Sequence, residues 1–589
     1  MTRDDLEKTI KAAWKDAHDF DPRDPLFGLS TRELSGPRLS RRATLRLLAA
    51  AGTLTAAHLV PGPVGRAIAE GKPGGTLTAG WAGVAEIVTL DPAQMGQVLQ
   101  FQITSNVLSG LTHINGDLIA EADIAESWEV SDDGRVYTFK LREGLTFHNG
   151  DAFDAEDVMF TYNRSKDPEQ SIHSGNLANV ESVEKLNDFE VRFTLKAPQA
   201  SFLTKTTERA SGRALTIVSR GALESMGTAQ YGLTPVGTGP FRITQHQLGQ
   251  EVVLEKFEGF YDPERPKLDK VIIKPIDGAE PLAAAVEAGD IQFVGGNPVA
   301  AQLIDRFKNN PDLVVDIAPA PGFQSVWINP HRDPMKVESF DKPVEELKKE
   351  PGFMVRLAIA KALNRDLYVQ QARFGYAFPA YGTINPAMGF YYDEGIAETS
   401  EQAYDPEGAR QLLADAGYPG GEGFPALELI VRTSERRDGL VIANILKQEL
   451  GITVNVQAQE FSVMIESFLK MEFDLRLGGS GGDYDPDDGI VDWMMTSSKF
   501  NGRTRDKDLY PFGYFSDSEA DALIEEQSIT AIPEERKALV QKANQITSDK
   551  VASGFLYHPV DVLIHHKDVL YPAVSRIPGL TDLDRVTLA

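Results

Sequence analysis

Polar and apolar residues alternate along two stretches in the first half of the chain. In residues 126–141, ESWEVSDDGRVYTFKL, the side chains of Tyr137, Phe139 and Leu141 fall on one face, and Asp-Asp-Gly supplies a turn. The same period of two returns in residues 186–195, LNDFEVRFTL. Because a period of two places every second side chain on one face of a strand, both stretches predict antiparallel hairpins with one buried face.

Beyond Pro240 the alternation gives way to apolar runs of strand length that are separated by helical periods. Residues 271–276, 279–288 and 291–294 have the patterns of a strand, a helix and a strand. Residues 426–477 extend this order to three strands with two helices between them. Such alternation is typical of parallel strands joined by right-handed crossovers. We therefore predict an α/β protein with two lobes, one for each region.

Residues 145–164, LTFHNGDAFDAEDVMFTYNR, place one histidine and four carboxylates in one short stretch. Asp154 is well placed as the N-cap of a helix, and Asp157, three residues later, can reach back to free backbone amides. Apolar residues then recur with helical spacing. Local structure therefore accounts for the acids. His148 lacks a partner of the HExxH type and is predicted to be a strand-end imidazole without metal or general-base duty.

Length and charge narrow the class of protein. The chain has 589 residues, enough for about three or four domains of ordinary size. Its 59 basic and 86 acidic residues give a formal net charge of −27. Nucleic acid and anionic lipid are disfavoured as partners, because both require a basic face. The chain has no cysteine, which excludes disulfides, thiolate metal sites, a cysteine nucleophile and a lipid anchor on an N-terminal cysteine.

Residues 1–69 differ from the rest of the chain. A charged extension precedes Arg41 and Arg42, and residues 47–60 form an apolar run that is too short and too polar to span a bilayer stably. Small residues follow, up to Ala69. This order predicts a twin-arginine export signal that is cleaved after Ala69. The alternative is an arginine pair that opens an ordinary buried helix, because the charged extension is longer than that of a usual signal.

The most informative loop, GGSGGDYDPDDG at residues 478–489, follows the last strand of the second α/β region. Ligands of open α/β sheets bind outside the carboxyl ends of strands, so the loop is well placed for a ligand. A carboxylate on a glycine-rich loop can bind an ammonium group, which makes Asp483 a candidate. A solvated acidic turn is one alternative. A calcium loop is another, but its glycine comes late, at Gly489, and Met494 stands where a bidentate glutamate is required.

The same loop matches the GxSxG pattern of a nucleophile elbow through Ser480. Downstream, residues 555–566, FLYHPVDVLIHH, predict two apolar strands that carry His558, His565 and His566. An elbow requires a helix to begin at once, so that its amides form the oxyanion hole. Asp-Tyr-Asp-Pro intervenes here, so a binding loop is favoured and a serine hydrolase using Ser480 stays an alternative.

Several aromatic residues near the candidate crevice could form walls for a ligand, although each is more often found in a core. They are Trp327, Tyr381, Phe390, Tyr391, Tyr392, Tyr484 and Trp493. The predicted ligand-binding set consists of Asp483, Tyr484, Trp327, Tyr381 and Trp493. No catalytic residue, metal ligand or cofactor is predicted.

Five segments in order resemble the bacterial extracellular solute-binding proteins of family 5, the peptide, nickel and opine receptors of ABC importers. They are residues 111–164, GTGPFRI at 237–243, VRLAIAKALNRD at 355–366, YDPEGARQLLADAGY at 404–418, and the GGDYDPDD loop. The resemblance covers nearly all of residues 75–575.

The resemblance implies a two-lobed periplasmic-binding-protein fold, type II-like, with an additional N-terminal subdomain. Lobe I is expected to comprise residues 70–112, 239–325 and 556–589, the subdomain residues 113–238, and lobe II residues 326–555. The resemblance also implies a monomeric periplasmic protein that is not an enzyme and that delivers its solute to the permease subunits of the membrane.

In the dipeptide-binding branch of the family, the aspartate that matches Asp483 anchors the ammonium group of the peptide, so the resemblance implies this role here. That branch carries a tryptophan a few residues earlier, where this chain has Gly479, Ser480 and Gly481. A wider pocket is expected without the ring. A longer peptide, an opine-like amino-acid conjugate or another bulky cationic solute therefore fits better than a dipeptide, and a nickel-type metal chelate is the alternative.

Overall fold

The computed structural model of the chain describes residues 71–82, 85–114, 120–207, 215–296, 299–480, 485–498, 501, 510, 512–530, 532–571 and 582–589. The predicted export signal, residues 1–69, lies outside them. Within the described residues, no helix combines the length and the apolar character that crossing a bilayer requires.

The strands are β1 Thr76–Ala82, β2 Thr112–Ile114, β3 Ala120–Ala122, β4 Ala125–Val130, β5 Val136–Leu141, β6 Val180–Asn187, β7 Glu190–Leu195, β8 Phe241–Gln247, β9 Glu251–Lys256, β10 Lys270–Ile276, β11 Phe293–Gly296, β12 Leu313–Pro319, β13 Phe323–Ile328, β14 Phe378–Pro379, β15 Leu427–Arg432, β16 Val454–Gln459, β17 Leu475–Ser480, β18 Gly554–His558, β19 Val560–His566, β20 Val569–Leu570 and β21 Thr587–Leu588.

The α-helices are α1 Val98–Thr104, α2 Ala155–Lys166, α3 Arg220–Leu233, α4 Ala279–Glu287, α5 Ala301–Lys308, α6 Val344–Leu347, α7 Pro351–Ala362, α8 Arg365–Arg373, α9 Ile396–Thr399, α10 Pro406–Asp415, α11 Arg436–Leu450, α12 Phe461–Leu469, α13 Pro486–Met494, α14 Ser518–Ile529 and α15 Pro533–Asp549.

The first sheet has seven strands in the order β12-β19-β11-β1-β10-β9-β8. Both β10 and β11 run parallel to β1, which lies between them, and α4 connects β10 to β11. The predicted strand, helix and strand of this region are therefore confirmed, although the second strand begins later than predicted, at Phe293. We call the part of the structure that carries this sheet the first lobe.

The second sheet has six strands in the order β14-β18-β13-β17-β15-β16. Here β15 runs parallel to both β16 and β17, and α11 and α12 make the connections between them. The three strands and two helices predicted for residues 426–477 are confirmed. Leu429, Val431 and Leu475 are buried in the core of this part, which we call the second lobe.

A separate antiparallel sheet in the order β4-β5-β7-β6 contains both predicted hairpins. Tyr137, Phe139 and Leu141 are buried in its core, as their alternation predicts. The ring of Phe139 meets that of Phe193 edge to face, with the ring centres 5.7 Å apart. This sheet and α2 form the main part of the subdomain. The residue boundaries proposed for the lobes and the subdomain stay a prediction.

The acid-rich turn at residues 145–164 has the predicted capping structure. The carboxylate of Asp154 accepts a hydrogen bond from the amide of Glu156 at 2.7 Å, and the amide of Asp154 donates to the carboxylate of Asp157 at 3.2 Å. These bonds satisfy backbone groups that the first turn of α2 leaves open. The acids are therefore part of the helix start.

His148 fastens this turn to the start of β8. The amide of Gly237 donates to its Nδ1 at 3.3 Å, and its Nε2 lies 3.0 Å from the carbonyl oxygen of Gly239. A side chain at Gly237 would place its Cβ 2.2 Å from the carbonyl oxygen of Val107, so only glycine fits. Burial lowers the pKa of His148 to about 4. The neutral imidazole has the structural role that the sequence predicts.

The two strands predicted in residues 555–566 are present but do not pair with each other. Pro559 lies between them, and β18 joins the second sheet while β19 joins the first. Residues 320–322 make a second passage, in the opposite chain direction, from β12 to β13. Among the described strands, the chain passes between the two sheets at these two places, and the amide of Ala320 donates to the carbonyl oxygen of Pro559 at 2.9 Å.

Candidate functional site

Four strands of the second sheet end at one edge. Because β13 is antiparallel to both β17 and β18, those two strands share the direction of β15 and β16. Their last residues are Arg432, Gln459, Ser480 and His558. Both passages to the first sheet leave from this edge, so it is the side of the second lobe from which the chain leads to the first lobe. We call it the carboxyl edge.

Several buried polar atoms without a hydrogen-bond partner lie at or beside the carboxyl edge. Within the described residues they include Oε1 of Gln324, Nε of Arg373, Oε2 of Glu435, Oε1 of Gln459, and Nε and Nη1 of Arg476. A buried polar atom that lacks a partner costs about 1–3 kcal/mol. At the end of an α/β sheet, such atoms are available to a partner outside the polypeptide.

Arg476 is the most unusual of these groups. It lies on β17 between two leucines, is only 3 % exposed, and forms no ion pair with an acidic side chain among the described residues. Its guanidinium turns along the strand toward the carboxyl edge, because a Cβ at Gly478 would lie 2.9 Å from Nη2. Burial lowers the pKa of Arg476 to about 10, so the group remains charged at neutral pH. A buried cation of this kind is costly unless an anion pairs with it.

The predicted aromatic residues Trp327 and Trp493 are brought together below Arg476. Trp327 pairs with Arg476 across the strands, and its ring stacks on that of Trp493 with the centres 5.5 Å apart. The indole Nε1 of Trp327 donates to the carbonyl oxygen of Gly478 at 2.9 Å. Both side chains are buried, and Phe468 lies 4.3 Å from Cζ of Arg476. These rings form the floor under the guanidinium.

Tyr381 lies elsewhere. Because β14 is antiparallel to β18, the chain beyond Pro379 runs away from the carboxyl edge. The ring of Tyr381 lies 4.4 Å from the guanidinium of Arg365, a buried group that donates to the carbonyl oxygens of Ala380 and Phe555. The structure therefore gives Tyr381 a role beside Arg365 in holding β14 and β18 together.

The acidic loop is anchored at its second half. Asp485 caps α13, and Arg536 binds both of its carboxylate oxygens at 2.6 and 2.9 Å. Arg536 also lies 3.3 Å from the carboxylate of Asp487. Burial alone would raise the pKa of the Asp485 carboxyl, but Arg536 outweighs it and holds that pKa below its usual value. Asp483 and Tyr484, the other predicted residues of the loop, lie outside the described residues.

This anchoring bears on the calcium alternative. Asp485 and Asp487 would be two of the three spaced ligands of a calcium loop, yet both carboxylates are bound to a guanidinium. Within the described part of the chain, no group of three or more His, Asp or Glu side chains is arranged to hold a metal ion. The ion pairs with Arg536 disfavour a calcium ion on this loop, because the guanidinium already balances the charge of Asp485 and Asp487.

The geometry also weighs against a serine nucleophile. Ser480 pairs with Phe323 on β13, whereas His558 lies on the strand at the other side of β13. Two strand spacings, about 10 Å, separate their backbones. Nδ1 of His558 is 3.0 Å from the carbonyl oxygen of Gly322, and burial lowers its pKa to about 4. His565 and His566 belong to β19 in the first sheet.

Arg476 was not singled out from the sequence, although a signal exists. In the stretch LRLGG, which follows Asp474, Arg476 is the one charged residue of an apolar strand that is buried on both faces. A charge at such a position is rare unless it has a partner. The pairing of Arg536 with Asp485, 51 residues apart, has no comparable signal.

The family model for bacterial extracellular solute-binding proteins, family 5 Middle, matches residues 120–502. Among curated proteins, the glutathione-binding protein GsiB of Escherichia coli (strain K12) is 28 % identical over 470 residues, which cover 78 % of this chain and 85 % of that protein.

Solved structures with the same fold include the periplasmic binding protein DppA from Helicobacter pylori in complex with the peptide STSA. It has 25 % identity and a TM-score of 0.68, and the match covers 88 % of this chain and 98 % of that one. NikZ from Campylobacter jejuni, in complex with Ni(L-His), has 23 % identity and a TM-score of 0.66, with coverage of 86 % and 97 %. The predicted two-lobed periplasmic-binding-protein fold with an additional subdomain is confirmed.

Proposed function

The chain belongs to the bacterial extracellular solute-binding proteins of family 5, and on that premise we propose that it captures a peptide-like or opine-like solute between its two lobes. The solute is then delivered to the permease subunits of an ABC importer in the membrane. The protein acts as a monomer in the periplasm and does not transform what it binds.

The observation that carries this proposal is the buried guanidinium of Arg476 at the carboxyl edge, which forms no ion pair within the described residues. A carboxylate is the natural partner of such a group, because two parallel hydrogen bonds fit the planar fork of arginine. Peptides and opines carry carboxylates. The buried oxygens of Glu435 and Gln459 nearby are acceptors for donor groups of the same solute.

Asp483 completes the proposed site. It follows the last residue of β17 by three residues in the sequence, and we propose that it contributes to the same site as Arg476. In the proposed complex Asp483 binds an ammonium group while Arg476 binds a carboxylate. A zwitterion would therefore satisfy both ends at once. Because the sequence has Gly479, Ser480 and Gly481 where the dipeptide-binding branch carries a tryptophan, the proposed solute is larger than a dipeptide.

A thermal-shift and calorimetric panel tests the proposal. The panel contains glutathione, the peptide Ser-Thr-Ser-Ala, the same peptide with an amidated C-terminus, an opine, and nickel with histidine. We expect carboxylate-bearing peptides or opines to raise the melting temperature. The amidated peptide is expected to bind about 10- to 100-fold more weakly, the worth of a hydrogen bond to a charged group.

The same panel separates the alternatives. Equal affinity for the free and amidated peptides would remove the carboxylate from the site. Stabilisation by nickel with histidine that a chelator reverses would favour a receptor for metal chelates. Mass spectrometry of the incubated peptides is expected to show intact solute, and cleavage that Ser480→Ala abolishes would establish a serine hydrolase.

The proposal includes export through residues 1–69. N-terminal sequencing of the protein from the periplasmic fraction is expected to begin near Glu70. Replacing Arg41 and Arg42 by lysines should keep the protein in the cytoplasm, because the twin-arginine route reads the arginine pair. Recovery of residues 1–69 on the periplasmic protein would contradict the cleavage.

A further inference from the structure

A short segment that follows β7 of the subdomain in the sequence, residues 200–201, contacts the second lobe. The hydroxyl of Ser201 donates to Oδ2 of Asp487 at 2.8 Å, and the amide of Ala200 donates to the carbonyl oxygen of Ser528 at 2.8 Å. Ser201 is 1 % exposed, so these bonds are shielded from water. One contact reaches the first turn of α13, and the other reaches the end of α14.

Asp487 is also held by side chains of the second lobe, and these bonds do not involve the subdomain. Its Oδ1 accepts a hydrogen bond from Nε2 of Gln527 at 2.6 Å, and Arg536 lies 3.3 Å away. Asp487 stands two residues beyond Asp485, the N-cap of the helix that follows the proposed solute loop. The carboxylate that meets Ser201 is therefore rigidly connected to the start of that helix.

The two sides of this contact, Ser201 and Asp487, are 286 residues apart in the sequence. The subdomain follows β1 and α1 and precedes β8, so it is inserted in the first lobe. Among the described strands, the passages between the lobes are residues 320–322 and Pro559. A motion that opens the lobes about these passages, with the subdomain following the first lobe, must break the bonds of Ala200 and Ser201.

We propose that Ser201 and Asp487, with the bond between Ala200 and Ser528, form a latch that holds the closed state. When the latch opens, water replaces Ser201 at Oδ2 of Asp487, so the two states stay close in free energy. Ser201 and Asp487 are positioning residues that act through α13 and touch no solute. The latch rests on the proposed function only in its effect on solute release.

A cross-link tests whether the segment ever leaves the second lobe. Because the chain has no cysteine, Ala200→Cys with Ser528→Cys introduces one defined pair on backbones that already share a hydrogen bond. Small-angle scattering of the protein without added solute is expected to give a smaller radius of gyration when the pair is oxidised than when it is reduced. Equal radii would overturn the latch, because the contact would then be permanent packing.

Removing the hydroxyl tests the latch without a cross-link. Ser201→Ala is expected to raise the dissociation rate of glutathione or of Ser-Thr-Ser-Ala, whichever binds, by about tenfold, toward the lower end of what a hydrogen bond to a charged group contributes. Ser553→Ala is the matched control, since it removes a buried hydroxyl bond to Val326 within the second lobe alone. Equal dissociation rates in Ser201→Ala and in Ser553→Ala would overturn the latch.

The two proposals fail in different ways. If neither peptide binds the unmodified protein, the proposed solute class is wrong, and the scattering comparison still decides the latch. If the peptides bind and oxidation changes neither the radius nor the release rate, the latch is wrong and the solute site stands.

Discussion

In the subdomain turn each acid has a partner within the chain, whereas the carboxyl edge of the second sheet holds buried polar atoms that have none among the described residues. Asp154 and Asp157 cap α2, and Glu156 pairs with Lys185 at 3.0 Å. At the carboxyl edge Asp485 and Asp487 are also paired, with Arg536, whereas Arg476 forms no ion pair among the described residues. An acid-rich stretch can therefore be wholly structural, and a buried cation without an ion pair is the feature on which the proposed site rests.

The largest expected effect comes from Arg536, which pairs with Asp485 and Asp487 at the start of α13. Arg536→Met leaves the buried carboxylate of Asp485 without its cation, and we expect the free energy of unfolding to fall by about 3–5 kcal/mol. Urea denaturation measures it. Arg332→Met, which removes a half-exposed ion pair with Asp474, is the control and should cost less than about 1 kcal/mol. Similar losses in both variants would deny Arg536 its anchoring role.

The next largest effect is the pH dependence of the free energy of unfolding, which tests His148 in the subdomain turn. The pKa of His148 is about 4 in the folded protein and about 6.5 in an unfolded chain, so the unfolded state binds more protons between these values. The free energy of unfolding is therefore not reduced by His148 above pH 6.5. As the pH falls from 6.5 to about 4, protonation of His148 in the unfolded state lowers the free energy of unfolding by about 3 kcal/mol in all.

His148→Ala should flatten this pH dependence in urea titrations at a series of pH values. Because His558 also has a pKa lowered to about 4, part of the slope will remain. The affinity of His148→Ala for its solute at pH 7 should match that of the parent protein. A large loss of affinity in a folded variant would show that the turn belongs to the binding site after all.

Arg476→Met should separate binding from stability. We expect the affinity for a carboxylate-bearing solute to fall by about 1.5–3 kcal/mol, because the charged hydrogen bonds are lost. The free energy of unfolding should stay constant or rise, since an apolar side chain of similar volume replaces an unpaired buried charge. Calorimetry and urea denaturation measure the two. A destabilised variant with normal affinity would assign Arg476 to the structure alone.

Asp483→Asn is expected to weaken the binding of an ammonium-bearing solute by about 1.5–3 kcal/mol, the scale of a hydrogen bond to a charged group. N-acetylation of the same solute should weaken binding to the parent protein and have little further effect on the variant. Unchanged affinity of Asp483→Asn would remove this residue from the site.

The smallest effect returns to the turn. Asp154→Ala removes the N-cap of α2 and should lower the free energy of unfolding by about 1 kcal/mol, with unchanged solute affinity. Asp154→Asn, which can still accept from the backbone, should restore most of the loss. If the two variants were equally unstable, the capping hydrogen bond would not account for the stability that Asp154 contributes.

The elements that the sequence predicts well are those whose signal is local. Each of three correct predictions depends on residues that are neighbours in the sequence. They are the period of two in β5 and β7, the capping pattern of α2, and the strand-helix order of residues 426–477. By contrast, the separation of β18 from β19 into different sheets depends on partners far along the chain, β13 for one and β11 and β12 for the other. Only the single residue Pro559 hints at it.

The site was less predictable than the fold for the same reason. The glycine-rich loop after β17 stands out locally, and Trp327 and Trp493 were selected as aromatic residues near it. Their mutual stacking, the anchoring of Asp485 by Arg536 and the placement of Tyr381 on Arg365 all depend on distant pairings. Arg476 could have been found, because a lone charge in an apolar strand conflicts with its surroundings.

The two passages between the sheets run side by side and share the hydrogen bond from Ala320 to Pro559. One covalent link would allow twisting as well as bending, but a tied pair of links resists twisting and leaves mainly rotation about a single axis. We therefore expect the lobes to move along one arc. In the proposed complex, a solute that enters from any direction would meet the same final arrangement of Arg476 and its surroundings, and selectivity would reside in the side chains and not in the path of closure.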